Sequence, residues 1–243
     1  MSDFHRTAGG ATVPTGNVDV GLQRYMSAVY SYMSVAMLLT GVVAAFVASS
    51  AGMYRFLFGS WIQWVVMLAP LGIVFYLTAR INNMTIGAAK LWLWAFAALI
   101  GVSSSYIFVL YTGASVARVF FITAISFLSL SVYGHVTKRD LSALGRFMIM
   151  GLIGILIASL VNIFLGSPGL EFVISALGVF IFAGLTAYDT QKIRNTYLQL
   201  SGSGASENVV RKTAIVGALM LYLDFLNMFM FLLQFLGVRT GQE

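Results

Sequence analysis

Along this chain apolar residues do not alternate with polar ones. They come instead in blocks of about twenty that are apolar on every side, separated by short polar stretches. Seven such blocks are legible: Ser27–Ser49, Trp61–Thr78, Lys90–Leu110, Val116–Val136, Gly145–Leu165, Leu170–Tyr188 and Ala214–Leu236. A helix needs about 20 residues to cross roughly 30 Å of hydrocarbon, and these blocks have that length. A spanning barrel would show ten-residue alternating segments, so helices are the expected form. Pro168 and Gly169 separate the fifth block from the sixth, and "SGSGASEN" (201–208) reads as a flexible loop before the seventh.

Composition sharpens this picture. Of 243 residues, 59% are apolar and only 9% charged, too little charge to wet a globule of this size. The pattern predicts an all-α integral membrane protein, with residues 25–243 as one seven-helix domain. Residues 1–24, polar and Gly-rich, read as a loose N-terminal tail, and no apolar h-region with a cleavage site precedes the first block, so no cleaved signal peptide is expected. Of the 14 lysines and arginines, eleven fall on one side of the predicted topology and only Arg55, Arg118 and Arg239 on the other. That bias predicts a cytoplasmic N-terminus. The net charge of +6 is then a topology signal with some attraction to anionic lipid, and it calls for no nucleic-acid partner. The absence of cysteine removes disulfides and thiolate metal sites.

Most polar residues inside the blocks have bland roles. Ala97, Gly101 and Ser105 form a small-residue stripe suited to close helix packing. His135, near Lys138 and Arg139, reads as interfacial. Asp224 is different. It lies about 18 Å along its helix from Lys212, near mid-depth, where a charged Asp costs about 2.5–3.5 kcal/mol. Gly217, Met220, Asp224 and Asn227 share a stripe, so a groove beside the carboxylate is expected, with Asn227 as an auxiliary polar group. In "GLTAYDTQKIRN" (184–195), Asp189 either pairs at the interface with Lys192 or, if the helix runs on through "TQKIRNTYLQL", sits inside it at a depth similar to Asp224. Arg80 closes the second block as a snorkelling arginine.

With "GLTAYDTQKI" (184–193) and "LYLDFLNMF" (221–229) in order on the sixth and seventh blocks, the chain resembles bacterial members of the transmembrane Bax inhibitor motif family from about Tyr25 to Leu236. The resemblance implies six helices wrapped around a central seventh, in a bacterial inner membrane. It also implies a pH-sensitive calcium leak in which Asp189 and Asp224 share a proton and Arg80 is a latch on Asp189. Two carboxylates in contact cannot both ionise cheaply, and their titration belongs to the pair. Calcium prefers six to eight oxygen ligands, so Asp189 and Asp224 with Asn227 would make a weak site suited to passage. The implied partners are thus lipid, calcium and protons, with no further cofactor. The resemblance also gives precedent for an alternative, a regulator of a membrane protease or of cell-death machinery, acting on a membrane-protein partner. An enzyme or photoreceptor is not expected: the seventh block has no internal lysine for a Schiff base, and there is no Ser–His pair at intramembrane depth, no H-E-x-x-H motif and no thiolate.

Overall fold

A computed structural model of the chain describes residues 15–241, with side-chain surroundings from residue 20 onward. Nine α-helices are described: α1 (Thr15–Ser49), α2 (Ala51–Phe58), α3 (Ile62–Arg80), α4 (Ile86–Ser103), α5 (Ile107–Leu110), α6 (Gly113–Val136), α7 (Ser142–Leu165), α8 (Pro168–Gly202) and α9 (Glu207–Leu236). Seven of the helical segments are long and apolar enough to span a membrane, with α5 completing the span begun by α4. The protein is therefore an all-α integral membrane protein, and each expected block falls on one span, the second starting one residue early at Trp61.

The helices are longer than the apolar blocks. Residues 15–24, expected from their polarity to belong to a loose tail, are the first turns of α1, while residues 1–14 lie outside the described residues. A helix emerging from lipid keeps its backbone hydrogen bonds with polar side chains, so hydropathy marks the bilayer edge and not the helix end. The short α2 lies between the first two spans, its first turn capped by Ser50, whose hydroxyl accepts the Met53 amide at 3.4 Å. At the other break, α7 ends at Gly166, in the left-handed region (φ 57°), and Ser167 caps α8 by accepting from the Leu170 amide with Pro168 in the first turn.

The seventh span is the centre. In α9, 61% of the membrane window is buried, against 6% in α7, which touches the bundle along one edge and faces lipid elsewhere. α9 packs against α8, α1, α6 and α4. Since lipid offers no hydrophobic drive between helices, small residues and a few hydrogen bonds hold the bundle. Ala97, Gly101 and Ser105 are buried where α4 and the turn after it meet α1, and a Cβ on Gly101 would lie 2.7 Å from the Thr40 carbonyl oxygen. The Thr40 hydroxyl bonds to the Ala97 carbonyl oxygen (2.9 Å) and to the Tyr222 hydroxyl (2.7 Å), joining α1, α4 and α9 at one buried point.

Gly101→Ala is expected to destabilise the protein by about 1–3 kcal/mol, because the backbone of α1 must retreat. Gly154→Ala, where a Cβ meets open space, is expected to be neutral or slightly stabilising. Thermal unfolding of both variants in one detergent checks the contrast.

Candidate functional site

The site is built on the seam between α8 and α9. α8 does not stop at the edge of its apolar block; it continues to Gly202, which leaves Asp189 more than three turns inside the helix. The condition for placing Asp189 at the depth of Asp224 is thus met. The loop to α9 shrinks to residues 203–206, where Gly204 takes a left-handed conformation (φ 68°). A short loop makes α8 and α9 antiparallel neighbours, and the two carboxyl groups face each other across their interface.

The two acids are not equivalent. Asp224 is 4% exposed and its Oδ2 is buried without a hydrogen-bond donor, whereas Asp189 is only half-buried. Carboxylate oxygens only accept, so two ionised groups in contact would satisfy neither. One proton placed between them turns the contact into a hydrogen bond. Lys192, one turn beyond Asp189, is the cation whose charge reaches both acids, and its ammonium lies 5.8 Å from the Tyr188 ring centroid.

The other candidate residues stand apart from the pair. Arg80 is exposed at the last turn of α3, and the ion pairs among the described residues are Arg211–Glu207 and Arg239–Glu171. α3 packs on α4 and α2 at the rim of the bundle. The Arg80 latch is therefore not formed in this structure; its long side chain reaches out from the helix end, as a snorkelling arginine does. Asn227 donates to the carbonyl of Leu223 in its own helix (2.8 Å) and does not join the carboxyls. The groove expected along Gly217 is filled, since a Cβ there would already meet Ile193 of α8 at 3.2 Å. His135 sits in the last turn of α6, half-buried, with Nδ1 lacking a partner.

What positions Asp189 is the rest of its own motif. Gln191 is buried. Its Oε1 accepts from the Leu141 amide (2.8 Å) and its Nε2 donates to the Arg139 carbonyl (2.7 Å), clamping the α6–α7 loop. Arg194 donates to the carbonyl oxygen of His135. Thr190 receives a hydrogen bond from Ser131 (2.9 Å), which in turn is bonded by Tyr30 (2.6 Å); since Thr190 donates to the Thr186 carbonyl, the chain of donors runs one way, from α1 through α6 to α8. Two glycines complete the fit. A Cβ on Gly134 would lie within van der Waals overlap of the Ala187 backbone oxygen, and one on Gly145 would strike the Tyr188 ring. Gln191 was legible in "DTQKI" as a polar residue two positions past the acid, but its partners come from a distant loop that spacing alone does not locate. In that same loop the exposed Asp140 accepts from the Ser142 amide (2.9 Å), which holds its carboxyl below the usual range.

Comparison with known proteins gives a coherent result. Residues 22–241 match the family described as inhibitor of apoptosis-promoting Bax1. The chain is 44% identical to the uncharacterized protein RP147 of Rickettsia prowazekii, covering 98% of this chain and 99% of that one. It is also 44% identical to the inner membrane protein YbhL of Escherichia coli K12, over 90% and 93% of the two chains. An uncharacterized protein of Caulobacter vibrioides is 38% identical over 98% of each.

Gln191→Ala strands the buried Leu141 amide, an unmade bond that costs about 1–3 kcal/mol. The expected outcome is a lower melting temperature and faster hydrogen exchange in residues 137–141, with exchange in α4 unchanged.

Proposed function

This chain belongs to the family of inhibitors of apoptosis-promoting Bax1, and from that premise we propose that it is a pH-sensitive calcium leak of a bacterial inner membrane. The proton shared by Asp189 and Asp224 governs the leak. One observation carries the reading: two carboxyl groups meet at the interface of α8 with the central helix, and one of them has a buried oxygen that finds no donor. The inner-membrane assignment follows the name of the Escherichia coli relative, and the positive-inside bias supports a cytoplasmic N-terminus.

Calcium enters as cargo. Two carboxylates supply at most four oxygens, and the Asn227 amide is turned to its own helix, so the site falls short of the six to eight that hold calcium firmly. Weak coordination favours release and hence passage. Two protons on the pair leave it neutral and unattractive to a cation; one or none leaves net negative charge facing it. Lys192 offsets part of that charge, the role that the resemblance assigns to Arg80. Arg80 would have to cross from the rim of α3 to take it.

A second reading, regulation of a membrane partner such as a protease or the cell-death machinery, draws on the family resemblance alone. Calcium flux into proteoliposomes, measured as pH is stepped from 7.5 to about 5.5, separates the two. Wild-type flux is expected to change across that window, and Asp224→Asn and Asp189→Asn are each expected to abolish most of the change. Asp140 stays ionised throughout, because its hydrogen bond to the Ser142 amide keeps it below the ordinary carboxylate range. Among the described residues His135 is the other group that ordinarily titrates there, so His135→Asn is the control and should keep the wild-type profile. A pH profile that both Asp variants leave intact would sink the gate, and purified protein that carries no flux at any pH would favour the regulatory reading.

A further inference from the structure

α1 and α6 both pack on α9 but diverge from each other, and the Tyr30–Ser131 hydrogen bond ties them together near one end. Two connected cavities, of about 300 and 520 Å³, follow their seam on one side of that tie. They share Met37, Gly41, Phe120 and Phe225, and their walls are almost wholly apolar. The flanking residues Leu38, Val42, Ile125 and Leu128 are exposed, so the slot opens sideways to the bilayer. Phe225, the neighbour of Asp224, forms the floor. On the other side of Tyr30 the same seam continues as a cavity of about 570 Å³ lined by Gln23, Ser27 and His135, whose Nδ1 is buried without a partner. Gln23 and Ser27 also line the next recess, shared with Arg24.

We infer that this seam seats one glycerophospholipid, its acyl chain lying in the slot against Phe225 and its phosphate-bearing head between Gln23, Arg24 and His135. The order of chemistry along α1 is that of a lipid molecule: cationic and polar at residues 23–27, then apolar from Tyr30 onward. The dimensions agree. From Tyr30 to Val42 the slot runs about 18 Å, close to the roughly 15 Å of hydrocarbon in one leaflet. Charge agrees as well. Arg24 is exposed and in no ion pair among the described residues, while the nearby acid Glu207 is engaged by Arg211 at 2.6 Å. A phosphate diester is the anion that the membrane interface supplies at this height. The most buried of the spans is thereby reached by one chain. The inference stands apart from calcium flux, since it uses neither aspartate.

Native mass spectrometry of the full chain, extracted from membranes in mild detergent and then exchanged into fresh detergent, provides the test. Wild type is expected to retain one phospholipid. A Cβ on Gly41 meets nothing within 4 Å, so the side chain of Gly41→Leu starts into open space and occupies the slot; occupancy should fall by about tenfold. Gly154 is equally open but lies on α7, outside the seam, and Gly154→Leu should retain lipid as wild type does. Arg24→Gln should release anionic phospholipid more readily. Ala124→Phe blocks the slot from its other wall and serves if Gly41→Leu does not fold. Wild type that carries no phospholipid, or a folded slot-filling variant that keeps it, overturns the inference. So does a dimer that Gly41→Leu dissociates, which would give the slot to a second copy.

Discussion

Hydrocarbon answers no hydrogen bond, so each polar group carried into the middle of the bundle must be met by another part of the protein. α9 carries three of them within two turns, and each is met differently. Tyr222, fully buried, is met by Thr40 of α1, one hydroxyl against another, with the Ala97 carbonyl taking up the remaining donor. Asn227 is met by its own helix at Leu223. Asp224 is met by Asp189. The first two arrangements are complete as built, because each contains a donor and an acceptor. The third contains only acceptors until a proton is added, so its hydrogen-bond count depends on the medium.

That dependence has consequences only if Asp189 is held still, and the surroundings of α8 do this by close contact. Gly134 of α6 and Gly145 of α7 let α8 come so near that a methyl group at either position would overlap Ala187 or the Tyr188 ring. These are the two residues preceding Asp189. Two positions beyond it, Gln191 spends both ends of its amide on the α6–α7 loop, and Arg194 reaches the end of α6. Glycine contacts set the distance and the amide sets the register. A helix held in both ways cannot slide by one residue without losing buried hydrogen bonds, each worth about 1–3 kcal/mol when its partner is stranded.

Hydropathy made the seven spans and the anomalous depth of Asp224 legible, because both are properties of a residue's distance from water. It did not reveal neighbours. The placement of Asp189 turned on whether a helix continues through "TQKIRNTYLQL", a stretch polar enough to be loop, and the bonds that Gln191 and Arg194 make to the α6–α7 loop are what make that continuation worthwhile. Residues 15–24 were illegible for the same reason: polarity there reports exposure, and α1 extends through it. Arg80 looked equally suited to the role of latch and to that of interfacial anchor, since both need only a cation at a helix end. Which cation faces the acids is a matter of packing, and α3 lies at the rim while Lys192 shares a helix with Asp189. The seam between α1 and α6 left no trace at all, because a gap between two apolar helices has the same composition as a contact.

The route by which a proton reaches Asp224 is constrained by the same geometry. Asp224 is sealed from solvent and Asp189 is half-open, so exchange with water goes through Asp189. The hydroxyl chain from Tyr30 through Ser131 to Thr190 passes close by but does not serve as the wire. Its donors all point one way and end on the Thr186 carbonyl, which holds no proton to pass on. To deliver a proton the chain would have to turn the Thr190 hydroxyl off the Thr186 carbonyl, breaking the bond to its own helix. Tyr30 therefore acts as a strut between α1 and α6, and the pair is reached from the side of α8 that carries Lys192.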